Sequence, residues 1–201
     1  MAFCIRSLDI ILSLVLLLIL APLLLALCFL VFVFDGRPVF FCQQRVGIGL
    51  TTFPLIKLRT MRASPTGSGL GYLSSGVSKE HARAMFQTTS VNDSRITRLG
   101  RILRRYHLDE VPQLLNVLKG DMSLVGVRPD TPAQEFDYDP VYWSKRHVYR
   151  PGITGLAQIY SGINLERRTL LEEQWLSSPS VSLYLFCLLR TFLKVIKGSS
   201  I

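Results

Sequence analysis

The sequence predicts an α+β protein that is predominantly helical, with a membrane-embedded N-terminal helix and a compact globular domain. Three observations predict this class: an apolar run without charged residues near the N-terminus, short β-type segments separated by glycines, and segments with apolar residues at helical spacing. The predicted anchor covers residues 1–36. The globular domain covers residues 37–201 and ends in a helix predicted to lie in the membrane interface.

The composition combines a high apolar content with a strong positive charge. The chain has 201 residues, of which 49% are hydrophobic, and its formal net charge is +9. This length allows one modest domain and an anchor rather than two full domains. A soluble nucleic-acid-binding protein would explain the charge but not the apolar content. A membrane protein that handles anionic groups explains both.

Cysteine placement and the surroundings of the arginines exclude two further classes of ligand. The cysteines are scattered and lack the spacing of zinc ligands, which predicts neither a zinc site nor disulfides and suits a reducing cytoplasmic environment (Cys4, Cys28, Cys42 and Cys187). The arginine-rich segment from Arg95 to Arg105 has no interleaved aromatic residues on which bases could stack. No nucleic-acid partner is therefore expected.

The N-terminal apolar run is long enough to cross a bilayer. No residue from Ile10 to Phe34 is charged, and Asp9 and Asp35 bracket this run. Pro22 lies near the middle and predicts a kink, because proline removes one backbone donor and clashes with the preceding turn. Both flanks are basic, so a helix that spans the bilayer and a broken helix that re-enters on one face both fit. The positive-inside rule places the globular domain in the cytoplasm.

Short β-type segments follow the anchor. The segments 38–41 and 53–58 flank Gly47 and Gly49, which predicts a small β-hairpin region. The next stretch, residues 64–78, contains four glycines and predicts a flexible loop rather than a core element.

Helical spacing returns at Leu99. The predicted apolar stripe of this helix consists of Leu99, Ile102, Leu103 and Tyr106. A second helix is predicted to begin around Val111–Pro112, since proline is favoured in a first turn, and to end at Gly120. Asp109 and Glu110 stand directly before this second helix.

The C-terminal segment 182–197 is apolar and carries a narrow basic stripe. Arg190, Lys194 and Lys197 lie at helical spacing, which is typical of a helix in the membrane interface. A core helix with a solvated edge is the alternative. The presence of an anchor favours the membrane interface.

Five sequence blocks, taken in order, resemble the signature of one family. The longest block is Leu108–Pro129, and the others are Gln44–Gly47, Lys57–Met61, Arg95–Gly100 and Arg150–Gln158. They are similar to the bacterial polyprenyl-phosphate phosphoglycosyl transferases of the monotopic superfamily. The likeness extends from the anchor to the C-terminal helix, so the chain resembles a small member reduced to the catalytic core.

The resemblance implies a re-entrant anchor in the bacterial cytoplasmic membrane, broken at Pro22, with the catalytic domain on the cytoplasmic face. The family commonly has a serine before this proline, whereas this chain has Ala21. The implied substrates are a UDP-sugar and polyprenyl (undecaprenyl) phosphate. Membrane lipid is a further expected partner, and the resemblance is compatible with an oligomer.

The resemblance also implies the chemistry of the site. Asp109 attacks the β-phosphate of the UDP-sugar, UMP leaves, and polyprenyl phosphate then attacks the phosphosugar-aspartyl intermediate. Glu110 matches the second acidic residue of the dyad. Five basic residues match positions that hold phosphates or contact the membrane: Arg104, Arg128, Lys57, Arg59 and Arg150.

The residue types agree with this chemistry. Arginines and a helix N-terminus favour the ionised form of Asp109, which could attack phosphorus and, with Glu110, bind Mg²⁺. The competing interpretation is that Asp109 only caps the helix and that Glu110 pairs with Arg104 or Arg105.

The chain departs from the family pattern at several positions. Val127 stands where a proline is frequent, Ile163 where small members often have an arginine, and the segment 170–173 where an aspartate is usual. A catalytically inactive membrane scaffold of a polysaccharide assembly complex is the alternative function. The intact Asp109–Glu110 pair argues against it.

Overall fold

The computed structural model describes residues 2–62, 93–160 and 162–197. The glycine-rich segment 64–78, for which the sequence predicts a flexible loop, lies outside the described residues. The α-helices are α1 (Ala2–Asp35), α2 (Arg98–Arg105), α3 (Gln113–Lys119), α4 (Pro140–Arg146), α5 (Leu165–Ser177) and α6 (Val181–Lys197). The strands are β1 (Phe40–Val46), β2 (Thr52–Leu58), β3 (Ser123–Val125) and β4 (Gly152–Thr154). Short 3₁₀ turns cover Ile48–Leu50, Leu108–Glu110 and Pro132–Asp137. The predicted class, mostly helical with a small sheet and an N-terminal apolar helix, is confirmed.

The predicted hairpin is present as the antiparallel pair β1 and β2. Phe40 lies opposite Leu58 at the open end, and Val46 lies opposite Thr52 next to the turn. Phe53, Leu55 and Leu58 of β2 are buried. Phe53 and Leu55 lie on one face of β2 and join the main core, whereas Leu58 lies on the opposite face and packs in a second buried cluster.

A second, parallel pair of strands was not predicted. Ser123 of β3 pairs with Gly152 of β4, and Val125 pairs with Thr154. Glycines allow this close approach, because a Cβ atom on Gly126 or Gly155 would overlap the backbone of the neighbouring segment. Strands of three residues carry too little alternation for a sequence pattern to reveal them.

Helix α1 contacts the globular part near its N-terminus. Arg6 donates hydrogen bonds to the carbonyls of Val117 (2.7 Å) and Leu118 (3.1 Å) at the end of α3. Asp9 is buried, and its Oδ1 accepts hydrogen bonds from the Ser123 hydroxyl, the Leu124 amide and the Tyr184 hydroxyl. Burial of a carboxylate is tolerated where such donors satisfy it.

The C-terminal part of α1 contacts the same globular part. Leu27 and Val31 pack with Leu58 in a second buried cluster, separate from the main core. At the end of the helix, Thr97 Oγ1 donates to the Asp35 carboxylate (2.9 Å). Helix α1 includes Pro22 and is the one helix among the described residues that is long and apolar enough to cross a membrane.

Helix α2 buries only part of the apolar stripe that the sequence predicted. Leu103 is buried and Leu99 packs beside it, but Ile102 is 56% exposed and Tyr106 is 39% exposed. Of the predicted apolar stripe, only Leu99 and Leu103 therefore contribute to a buried cluster. The helix approaches the chain after β2 closely at Gly100, where a Cβ atom would overlap the Thr60 carbonyl.

The other predicted helix boundaries agree with the structure to within two residues. Pro112 is the N-cap of α3, and Gly120 ends this helix in the left-handed conformation with φ 96°. Helix α6 buries Tyr184 and Cys187 on one face. Its other face exposes apolar residues at helical spacing, namely Leu185, Leu189, Phe192 and Ile196. The location of α6 in a membrane interface stays a prediction.

A buried network of charges ties α4, α5 and the segment after β3 together. Arg146 pairs with Asp130 (2.8 Å) and Glu172 (2.8 Å), and Arg168 pairs with the same two carboxylates at 3.1 and 2.9 Å. The Arg146 side chain is fully buried. Because each charge has an opposite partner and hydrogen bonds, the network offsets the cost of removing these groups from water.

Replacement of Arg146 by Met should destabilise the fold. The variant leaves two buried carboxylates with one cation, which costs about 3–5 kcal/mol and lowers Tm by roughly 10 °C for a domain of this size. Thermal unfolding followed by circular dichroism measures this shift. The matched control is Lys145→Met, because the Lys145–Glu173 pair is exposed and should contribute less than about 1 kcal/mol. Equal Tm values for the two variants would contradict the role assigned to the network.

Candidate active site

The two carboxylates lie on a short 3₁₀ turn between α2 and α3. His107 precedes this turn in the left-handed conformation with φ 55°, which is uncommon for residues other than glycine. The turn Leu108–Glu110 packs against β2. Asp109 and Glu110 therefore precede α3 by a turn and do not cap it, because the N-cap is Pro112.

Glu110 forms an ion pair with Lys57 of β2. The distance between Glu110 Oε1 and Lys57 Nζ is 2.6 Å, and each side chain keeps about a fifth of its surface exposed. Burial alone would raise the pKa of Glu110, but the positive charges of Lys57, Arg128 and His107 outweigh it and lower the pKa to about 2. Glu110 is therefore ionised at neutral pH. The competing interpretation, in which Glu110 pairs with Arg104 or Arg105, is wrong.

Asp109 is the more buried carboxylate, with 7% of its surface exposed. Burial raises the pKa of Asp109, and the negative charge of Glu110 acts in the same direction. Lys57 and Arg104 favour the ionised form but do not outweigh burial. The sequence predicted that positive surroundings would dominate. That expectation is corrected by the depth of the side chain, which a sequence pattern does not reveal.

Two of the predicted arginines lie close enough to act on these carboxylates. The Arg104 Nε donates to the Thr60 hydroxyl (2.9 Å), and the charge of Arg104 acts on Asp109. The Arg128 side chain is exposed, and its charge acts on Glu110. Together with Lys57, they place positive charge around both carboxylates, as binding of a diphosphate requires.

Arg59 and Arg150 bind backbone carbonyls at two helix ends. Arg59 donates to the carbonyls of Asp35, Gly36 and Arg37 after the last turn of α1. The Arg150 Nε donates to the Gly120 carbonyl (2.7 Å) after α3. Basic side chains stabilise helix C-termini in this way. The structure thus gives both residues a structural role, and phosphate contact by either of them stays a prediction.

Arg45 belongs to the site but was not among the predicted binding residues. Its guanidinium donates to the Pro129 carbonyl (2.9 Å) and to the Gln43 side chain (2.7 Å). Burial and the neighbouring Arg128 lower the pKa of Arg45 to about 10, although Asp130 and Glu110 oppose this shift. Its position in the block Gln44–Gly47 was the available signal. The contact with Pro129 depends on tertiary structure and could not be inferred from that block.

The chemistry of the donors fits one Mg²⁺ ion. Among the described residues, no group of three or more metal-binding side chains converges. Mg²⁺ is commonly held by one or two carboxylates together with substrate phosphates and water, so a dedicated protein cage is not required. Asp109 and Glu110 are adjacent carboxylates, and Glu110 is ionised. This pair fits the ion.

Comparison with known proteins agrees with the resemblance. A family model described as bacterial sugar transferase matches residues 1–198. The chain is 36% identical over 163 residues to UDP-N-acetylgalactosamine-undecaprenyl-phosphate N-acetylgalactosaminephosphotransferase of Aeromonas hydrophila, covering 80% of this chain and 35% of that protein. It is 40% identical over 157 residues to UDP-glucose:undecaprenyl-phosphate glucose-1-phosphate transferase of Caulobacter vibrioides, covering 77% of this chain and 52% of that protein.

A third relative is closer in length. The chain is 40% identical over 159 residues to the exopolysaccharide production protein PSS of Rhizobium leguminosarum, and the match covers 77% of this chain and 72% of that protein. In contrast, the chain spans about a third of the length of the Aeromonas hydrophila protein and about half of the length of the Caulobacter vibrioides protein. The region matched by the family model, residues 1–198, includes both carboxylates and the basic residues around them.

Proposed function

Because the chain belongs to the bacterial sugar transferase family, we propose that it transfers a sugar 1-phosphate from a UDP-sugar to polyprenyl phosphate, with Asp109 as the nucleophile. The observation that carries the proposal is the pair Asp109 and Glu110 beside Lys57, Arg104 and Arg128. The names of the matched relatives include UDP-sugars and undecaprenyl phosphate, which supports these substrate classes.

The proposed reaction has two displacements at one phosphorus atom. In the first, a carboxylate oxygen of Asp109 attacks the β-phosphorus of the UDP-sugar. The bond from this phosphorus to the bridging oxygen breaks, and UMP leaves with that oxygen and its electron pair. In the second, an oxygen of polyprenyl phosphate attacks the same phosphorus, and the Asp109 carboxylate is released. Covalent catalysis of this kind replaces one difficult displacement by two easier ones.

The two carboxylates have different roles because their environments differ. The raised pKa of Asp109 reflects a poorly solvated carboxylate, and its attack on phosphorus requires the ionised form. The ionised Glu110 holds Lys57, which also favours the charge on Asp109. Positive side chains that stabilise this carboxylate are also suited to the oxygens of a transferring phosphoryl group.

The Asp109–Glu110 pair would hold Mg²⁺ together with the diphosphate. When bound there, the ion supplies positive charge that offsets the charge on the phosphate oxygens.

Replacement of Asp109 by Asn should abolish release of UMP from the UDP-sugar, because an amide is a far weaker nucleophile toward phosphorus. We expect a loss of at least about a thousandfold in kcat, measured with purified protein, Mg²⁺, polyprenyl phosphate and a panel of UDP-sugars. The matched control is Asp121→Asn. Asp121 lies in the turn after α3 and accepts a hydrogen bond from Asn116 of that helix. The Asp121→Asn variant should keep most of the activity.

Two outcomes would contradict the proposal. Release of UMP at the normal rate by the Asp109→Asn variant would exclude Asp109 as the nucleophile. Absence of UMP release by the unmodified protein with every UDP-sugar would instead favour the alternative of a catalytically inactive membrane scaffold. A correctly folded variant is confirmed by an unchanged Tm.

We also propose that α1 is re-entrant and that the globular domain lies on the cytoplasmic face of the bacterial inner membrane. Arg6 and Asp9 near one end of α1, and Asp35 at the other end, all bond to the same globular part. The intervening face of the helix exposes apolar side chains such as Leu18 and Leu25 to about 70%. A helix that left its N-terminus on the opposite face of the bilayer would break the contacts of Arg6 and Asp9.

Thiol labelling of Cys4 tests this topology. Cys4 is exposed near the N-terminus, and the other three cysteines can be replaced by Ala to leave it as the single thiol. A membrane-impermeant maleimide should label Cys4 in inside-out vesicles and not in right-side-out vesicles. A cysteine introduced by Lys119→Cys in the globular domain serves as the control for the cytoplasmic face. Labelling of Cys4 only in right-side-out vesicles would show a spanning helix.

A further inference from the structure

The loop that carries Arg128 is held by donors from two separate parts of the chain. The Arg146 Nη2 donates to the Arg128 carbonyl (3.0 Å), and the Arg45 Nη1 donates to the Pro129 carbonyl (2.9 Å). The Val46 amide donates to the Asp130 carbonyl (2.9 Å). Three successive carbonyl groups therefore accept hydrogen bonds from β1 and α4, so the loop is fixed to both elements.

The side chain of Asp130 anchors the same loop. It accepts hydrogen bonds from Arg146 Nη1 (2.8 Å), Arg168 Nη2 (3.1 Å) and the Tyr138 hydroxyl (2.6 Å). Asp130 is buried, and these charged hydrogen bonds form in a low-dielectric interior. The residue two positions after Arg128 is thus tied to α4, α5 and the turn before α4.

Backbone hydrogen bonds fix the residues before Arg128 as well. The Gly126 amide donates to the Thr154 carbonyl (2.8 Å), and the Gly152 amide donates to the Val127 carbonyl (2.8 Å). The backbone is therefore restrained from Gly126 to Asp130, whereas the Arg128 side chain is exposed. A rigid backbone that presents an exposed guanidinium is an arrangement that serves binding more than stability.

We propose that Arg45 and Arg146 are positioning residues, whose hydrogen bonds to the Pro129 and Arg128 carbonyls hold Arg128 where it binds the diphosphate of the nucleotide-sugar. This inference rests on the proposed function, because the diphosphate is the anion that Arg128 would bind. An exposed arginine loses conformational entropy when it binds a phosphate. Fixing its backbone beforehand reduces that loss and increases affinity and orientation.

Two alternative roles of Arg45 and Arg146 compete with positioning. Both residues could serve only the stability of the fold, since both bond to backbone and Arg146 belongs to the buried ion network. Arg45 could also act on the substrate directly, because its charge interacts with Glu110. Either role predicts that the effect of replacing Arg45 is independent of Arg128. Positioning predicts that the effect requires Arg128.

A double-mutant cycle distinguishes positioning from these two roles. The variants are Arg45→Met, Arg128→Met and the double variant, and the readout is kcat/KM for UMP release with varied UDP-sugar. We expect Arg45→Met to lower kcat/KM about tenfold and Arg128→Met about a hundredfold, in the range for hydrogen bonds to charged groups. The double variant should match Arg128→Met within about threefold.

Two further variants keep the test independent of folding. Tyr138→Phe removes one donor to Asp130 but leaves both arginine partners in place, so Tm should fall much less than in Arg146→Met while kcat/KM falls about threefold. In the Arg128→Met background, Tyr138→Phe should have no effect. Arg45→Lys keeps an N–H donor for the Pro129 carbonyl. On a logarithmic scale, its loss of kcat/KM should be less than half of the loss caused by Arg45→Met.

The outcomes are distinguishable. If the unmodified protein releases UMP but the losses of Arg45→Met and Arg128→Met multiply in the double variant, the two residues act independently and the positioning inference is overturned. Equal effects of Tyr138→Phe with and without Arg128 would overturn it in the same way. If the unmodified protein releases no UMP with any UDP-sugar, the proposed function itself fails, and this inference fails with it.

Discussion

The ion pair between Lys57 and Glu110 joins the hairpin to the turn that carries both carboxylates. The same end of β2 makes two further connections: Arg59 binds the carbonyls after α1, and Thr60 accepts the hydrogen bond of Arg104. One short segment therefore links α1, α2 and the turn that carries both carboxylates. Loss of this register would separate the cations from Asp109, because a shift of one residue turns every side chain of a strand to the opposite face.

The two carboxylates differ in pKa because their surroundings differ. Glu110 has cations close to it and is ionised, whereas Asp109 lies deeper and its pKa is raised. Adjacent carboxylates in different environments are a common basis for different roles in catalysis. The network around Arg146 has a different effect. It neutralises the buried charges of Asp130 and Glu172, and it makes the segment next to Arg128 rigid. The charge on Asp109 is thus incompletely compensated, whereas the charges on Asp130 and Glu172 are neutralised by Arg146 and Arg168.

Sequence patterns were sufficient for the N-terminal apolar helix, the hairpin and the ends of α3, because apolar runs, glycine turns and proline act locally. They also placed Asp109, Glu110 and Lys57 in one site, through the resemblance of ordered blocks. The parallel pair β3 and β4 and the role of Arg45 were missed, since both depend on contacts between distant segments. Some of these contacts depend on glycines. Gly100 packs against the Thr60 backbone and Gly126 against the Gly152 backbone, so blocks that are separate in sequence are in contact in the fold. Exposure of Ile102 and the burial of Asp109 likewise depend on tertiary packing.

The most direct measurement is the mass of the protein after incubation with a UDP-sugar and Mg²⁺ in the absence of polyprenyl phosphate. A covalent aspartyl intermediate predicts an increase equal to one sugar phosphate, located by peptide mapping on Asp109 and released by hydroxylamine, as an acyl phosphate would be. Addition of polyprenyl phosphate should remove the adduct. An adduct on another residue, or UMP release that requires both substrates together and leaves the protein mass unchanged, would contradict nucleophilic catalysis by Asp109.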